Sequence, residues 1–168
     1  MNSGRGKHLA RYFRFRTPHE RTIGLARLAD KALKKLLSKC TEVSTYKFGS
    51  RHKGHYAKLP DGKLVYIIER KHHQIYRAGK TTVNEATQEH IASWMLEHTV
   101  LRNLVKREIE YVIIFVMNTG EYYFAPLSRW QDKAVTHDSD TRLDRVRHLP
   151  LHIMTRGQVD IPFDKLAK

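Results

Sequence analysis

Cysteine is almost missing from this chain: of its 168 residues only Cys40 carries a thiol. One thiol excludes an internal disulfide and any cysteine-rich zinc site, and it points to a reducing, intracellular setting, cytoplasmic or nucleoid-associated. Long apolar runs are missing too, and none approaches the roughly 20 residues that a membrane-spanning helix needs. The first residues are basic but have no apolar stretch behind them, so no secretory signal is expected. Internal repeats and low-complexity tracts are absent. With 40% apolar residues over this length, a single domain with a substantial core is expected.

Acid is scarce in one half only. Residues 1–80 hold 20 Lys and Arg against 5 Asp and Glu, whereas residues 81–168 hold 11 against 12. The net charge of +14 is therefore an N-terminal property. Such asymmetry is the electrostatic footprint of a nucleic-acid binder, and DNA is the expected partner. A solubility charge or an anionic membrane surface are the alternatives, and no amphipathic membrane helix accompanies the charge. Residues 1–16 read as a basic arm ahead of one α/β domain over 17–168. Arg5, Lys7, Arg11, Arg14 and Arg16 are interleaved there with Tyr12, Phe13 and Phe15, a mixture suited to phosphate contact and base stacking. Arg51 and Lys53 extend the expected phosphate-contacting set.

Thr17-Pro18-His19-Glu20 reads as a helix start, with Thr17 as N-cap, Pro18 in the first turn and Glu20 as capping-box partner. Leu25, Leu28, Ala29, Ala32, Leu33, Leu36 and Leu37 then recur at helical spacing, predicting a helix over 18–38. Strands are expected at Glu42–Phe48, Gly54–Leu59 and Lys63–Lys71, the last two joined by the turn Pro60-Asp61-Gly62. A long amphipathic helix is predicted from Glu85 to about Lys106, with Ile91, Trp94, Met95, Val100, Leu101, Leu104 and Val105 as its apolar stripe. Tyr111–Val116 reads as a central strand. Asn118-Thr119-Gly120 turns the chain into a strand at Glu121–Leu127. Residues 131–147 read as a surface loop, and Leu149–Met154 as a last short strand.

The stretch Leu64-Val65-Tyr66-Ile67-Ile68-Glu69-Arg70-Lys71 carries the chemistry. Strand alternation points Val65, Ile67, Glu69 and Lys71 the same way, so a carboxylate and an amine continue an apolar core face. A strand does not normally place charges there without a use for them. Together they can bind a divalent metal and steer a water molecule.

The order helix, three-strand meander, helix, strand, with Glu69-Arg70-Lys71 on the third strand and Pro60-Asp61 before it, resembles the PD-(D/E)XK nuclease superfamily. That group includes restriction endonucleases and Holliday-junction resolvases. The resemblance spans residues 17–117 and implies a restriction-endonuclease-like α/β core, here with an added C-terminal hairpin or strand. It implies Mg²⁺ (or Mn²⁺) held by Glu69 and a second acid, Asp61, with Lys71 on the attacking water and Glu20 on the first helix completing the site. It also implies cleavage of DNA by a homodimer. Gln88 falls where some RecB-like members carry a glutamine. Geometry bears on Asp61: were 61–69 one extended strand, Asp61 and Glu69 would lie roughly 26 Å apart at about 3.3 Å per residue. The family's acid comes from the neighbouring strand, and with a turn at 60–62 the residues opposite are Arg51 to His55. These offer His52 and His55 in place of an acid.

His52, His55, His72 and His73 crowd the candidate site and suit phosphate donation, base catalysis or metal ligation. No reliable zinc spacing unites them. Asp138, Asp140 and Asp144 lack the glycine and terminal glutamate of a calcium loop. Besides a metal-dependent endonuclease, two other functions fit. One is a non-catalytic nucleic-acid-binding or assembly protein using the basic half. The other is a metal-free ribonuclease with His55 or His72 as acid and base.

Overall fold

The computed structural model describes residues 18–48, 52–76, 92–132, 135–137 and 146–159. The arm at 1–16, Arg51, Gln88 and the aspartates at 138, 140 and 144 lie outside them. The elements are α1 (Pro18–Lys39), β1 (Thr41–Phe48), β2 (His52–Lys58), β3 (Leu64–Arg70), β4 (Ser93–Glu97), α2 (His98–Lys106), β5 (Tyr111–Val116), β6 (Glu121–Pro126), α3 (Leu127–Asp132), β7 (Val135–His137), β8 (Val146–Pro150) and β9 (Thr155–Gln158). Two short 3₁₀ turns lie at His72–Gln74 and Leu151–Ile153. The chain is mixed α/β, with a helix followed by a multi-stranded sheet.

The main sheet has the order β1-β2-β3-β5-β6-β9. β1, β2 and β3 form an antiparallel meander, β3 pairs with β5 in parallel, and β6 and β9 continue antiparallel. A parallel pair needs a long crossover; here β4 and α2 lie within it. The second sheet, β4-β8-β7, is antiparallel throughout.

β3 and β5 are apolar on both faces because both faces are covered, as the continuous runs Leu64–Ile68 and Tyr111–Val116 require. On one face Leu33 of α1 packs with Ala57, Val65, Ile67, Ile113, Phe115, Tyr122 and Phe124, and Ala32, Leu36 and Leu37 close the helix side. On the other, Tyr66, Ile68, Val112, Ile114 and Tyr123 meet Trp94 and Leu96 of β4, Leu104 of α2 and Leu149 of β8. Arg107, just past α2, fastens this second layer to the sheet edge. Its guanidinium lies 3.9 Å from the Tyr56 ring centroid and donates to the Tyr46 hydroxyl at 2.9 Å.

Two turns set the strand ends. Asp61 accepts from the Lys63 N–H at 3.0 Å, and Gly62 takes φ +91°, a left-handed value that suits glycine. Gly120 takes φ +68° after β5, with its N–H on the Val116 carbonyl at 2.9 Å.

Four expectations are corrected. Residues 93–97 are strand, not part of a helix over 85–106, and α2 begins only at His98. Trp94 and Leu96 are buried while Met95 and Glu97 are half-buried, a period of two that pairing with Leu149 and Arg147 of β8 enforces. Val105, assigned to the apolar stripe, is exposed. The stretch 131–147 is more than loop: it holds the end of α3, all of β7 and the start of β8. The strand expected at Leu149–Met154 ends instead at Pro150, which cannot donate to a ladder, and a separate strand, paired with β6 in the main sheet, begins at Thr155.

Gly54 tests the packing of the β2–β3 pair. A Cβ there would sit 2.4–2.8 Å from atoms of the Tyr66 ring and hydroxyl, and Tyr66 is too buried to swing away. Gly54→Ala is therefore expected to lower unfolding free energy by about 1–3 kcal/mol in urea denaturation. An unchanged midpoint would show that this pair is looser than described.

Candidate functional site

The site begins where β3 leaves the core. Val65 and Ile67 are sealed under α1, and two residues on along the same face comes Glu69, whose side chain is 24% exposed. β2 supplies its partner. His55 pairs with Ile67 across the sheet, so it too faces α1, one diagonal step from Glu69. Its Nε2 lies 3.3 Å from Glu69 Oε2. β1 supplies the third member: Thr45 pairs with His55, and its Oγ1 lies 2.9 Å from His55 Nδ1. Three adjacent strands thus hold a Thr45–His55–Glu69 relay, with both ring nitrogens of a buried imidazole engaged.

Lys71 follows. Its backbone is still extended, at φ −112° and ψ 152°, so the alternation of β3 carries one residue past the strand's last ladder position. The segment is pinned from behind. Lys71 N–H donates to Gln74 Oε1 at 2.8 Å, His72 N–H to Asn118 Oδ1 at 2.9 Å, and Met117 N–H to the Arg70 carbonyl at 2.9 Å. The last two bonds tie the chain after Glu69 to the turn between β5 and β6. Lys71, His72 and His73 are exposed. Lys53 is also exposed, and it shares the His55 face of β2.

The first helix runs so that its beginning lies at this end of the sheet. Leu25 lies against Gly120 beyond β5, whereas α1 ends at Lys39, next to Thr41, which pairs with Lys58. Glu20 is exposed in the first turn of α1, at the Glu69 end.

Asp61 is at the other end and is corrected as a partner of Glu69. It lies in the turn before β3, binding the Lys63 N–H and lying 3.5 Å from the Lys63 amine. β3 alone, from Leu64 to Glu69, adds about 17 Å at about 3.3 Å per residue, too far to share an ion. Asp61 caps a hairpin, and His55 occupies the neighbouring-strand position opposite the end of β3.

Other groups away from this site offer little chemistry. Burial pushes the Cys40 thiol up, away from the thiolate form that a nucleophile needs. Burial likewise raises the Tyr66 phenol far above the usual tyrosine range, with Tyr56 adding to the effect and Arg70 opposing it. Among the described residues no three His, Cys, Asp or Glu side chains cluster as a ready-made metal cage.

Three positioning residues escaped the sequence reading. Thr45 is recognisable only once the β1–β2 register is known. Asn118 carried a signal as a turn former, but its reach to His72 is tertiary. Gln74 sits in a 3₁₀ turn too short to show a period. No family model, no curated protein and no solved structure matches this chain.

The turn role of Asp61 is checked by stability. Asp61→Ala removes one side-chain hydrogen bond and is expected to cost about 0.5–1.5 kcal/mol in urea denaturation. A loss above about 3 kcal/mol would give Asp61 a larger role than capping the turn.

Proposed function

We propose that this chain is a metal-dependent DNA endonuclease of the PD-(D/E)XK type, with its site at the Glu69 end of β3. The observation that carries the reading is the His55–Glu69 pair, 3.3 Å apart at the end of a buried strand and followed by Lys71. The antiparallel meander β1-β2-β3 after α1, with β5 parallel to β3, supports it, while β4 stands ahead of α2 in the crossover where the resemblance implies helix alone. The basic first half supports a polyanionic substrate. Lys53, exposed on the His55 face of β2, adds positive charge at this end of the sheet.

The donor set fits a divalent ion. A carboxylate and an imidazole are both metal ligands, and a divalent ion at a phosphoryl site can take one or two protein donors, with water and substrate phosphate supplying the rest. Glu69 and His55 would hold the ion, which when bound would neutralise charge developing on the phosphate and acidify the attacking water. Lys71, carried past the strand end with its backbone N–H held by Gln74, would donate to that water or to a phosphate oxygen. Thr45 fixes the His55 ring. Glu20 lies at the same end of the sheet, in the first turn of α1. Pairing of two copies would let each cut one strand.

The charge surplus of the first half favours a second reading equally: a nucleic-acid-binding or assembly protein that uses the basic half without cutting.

Cleavage separates the two. Wild type is expected to nick or cut duplex or branched DNA only with a divalent metal and to stop with EDTA. Glu69→Gln and Lys71→Ala should each abolish cleavage while circular dichroism and DNA binding stay largely intact, and the double variant should be hardly worse than either. Asp61→Asn should cleave normally. Wild-type cleavage by Glu69→Gln, or no metal-dependent cleavage by wild type, leaves only the binding protein.

Binding has its own test. Deleting residues 1–16 removes five cations, so the slope of log K against log salt should become shallower by up to about 4.5. An unchanged slope would show that the arm touches no phosphate.

A further inference from the structure

We infer that the pair His55–Glu69, steadied by Thr45, is a transition-metal site that selects an ion such as Co²⁺ or Mn²⁺ over Mg²⁺. The inference rests on the proposed metal site and names which ion it takes.

Separation comes first. Donors about 2.1 Å from one ion lie about 3.0 Å apart at a right angle and about 3.4 Å apart at the tetrahedral angle. His55 Nε2 and Glu69 Oε2 are 3.3 Å apart. An ion can therefore take the place of the proton between them without either strand moving. Donor chemistry comes second. Mg²⁺ is hard and seeks oxygen, whereas imidazole suits later first-row ions, whose affinity for a nitrogen-containing site rises from Mn²⁺ through Co²⁺. Two acids would leave Mg²⁺ well placed; one acid and one buried imidazole do not.

Thr45 is the third part of the argument. A ligating histidine usually passes its other ring N–H to a fixed acceptor, which sets the tautomer and the ring orientation. The Thr45 hydroxyl at 2.9 Å from Nδ1 is such a group. A hydroxyl both donates and accepts, so it can give a proton to Nδ1 when Nε2–H faces Glu69, and receive one from Nδ1–H when Nε2 holds an ion. A carboxylate in its place could only accept. Thr45 is thus a positioning residue that serves both states of the site. His55 is nearly sealed from water, at 6% exposure, so its ring cannot turn outward to relieve a lost partner.

Isothermal titration of the full chain with CoCl₂ and with MgCl₂ tests this, with no DNA present. Wild type is expected to bind one Co²⁺ at this site at least about tenfold more tightly than Mg²⁺. His55→Asp should erase that preference. Thr45→Val should weaken Co²⁺ about tenfold or more, and Thr45→Ser should restore it. In wild type, NMR should show His55 ring signals shifted by Co²⁺ before those of His72 and His73, a readout that needs no variant to fold. Equal affinity for the two ions, a preference unchanged in His55→Asp, wild-type Co²⁺ affinity in Thr45→Val, or first shifts at His72 or His73 would each overturn the inference. Co²⁺ bound as expected with no cleavage in any metal refutes the nuclease and leaves the site. Cleavage with Mg²⁺ alone leaves the nuclease and refutes the selectivity.

Discussion

The parallel pairing of β3 with β5 is the constraint on which the rest of this molecule depends. Six consecutive positions, from Val65 with Tyr111 to Arg70 with Val116, are fixed by one ladder. Val65 and Ile67 are sealed beneath α1, while Tyr66 and Ile68 are sealed beneath β4 and α2. A slip of one residue would exchange these sets and drive Glu69 to the opposite face. The strand therefore has one register, and that register delivers Glu69 to the edge of the α1 face, next to His55.

Partial burial makes this position costly unless its polar groups are satisfied. A buried imidazole left without partners loses its hydration with nothing in return. Both nitrogens of His55 are engaged, one on Thr45 and one on Glu69, so the cost is offset within three neighbouring strands. Exposed Lys53 and Lys71 make the surroundings cationic, which favours any phosphate brought to the site. Behind the site, Gln74 and Asn118 bind the backbone after β3, so Lys71 extends from a fixed base. Rigid strands with locked side chains hold this pair of polar groups in one geometry.

Much of the scaffold was legible from residues. The runs 64–68 and 111–116 are too uniformly apolar to be half-exposed, and both are strands covered on two faces. Pro60-Asp61-Gly62 and Asn118-Thr119-Gly120 read correctly as turns because glycine, aspartate and proline have local conformational reasons to be there. The stretch around Trp94 misled, since Ile91, Trp94 and Met95 fit a helical stripe while Trp94 and Leu96 fit a strand. Only β8, distant in sequence, decides between them. The site divides in the same way. Glu69 and Lys71 follow from alternation along one strand. The nearness of His55 to Glu69 depends on the β2–β3 register, and the role of Thr45 on two registers at once. Asp61 was drawn in by its place in a motif, whereas the turn it builds is what carries it away from Glu69.

The most direct measurement is anomalous diffraction from crystals of the full chain soaked in MnCl₂, recorded on both sides of the manganese edge. The proposed site requires one manganese peak bridging His55 Nε2 and Glu69 Oε2, with Thr45 still on Nδ1. A peak at Asp61, or none between His55 and Glu69 while manganese binds elsewhere, would contradict it.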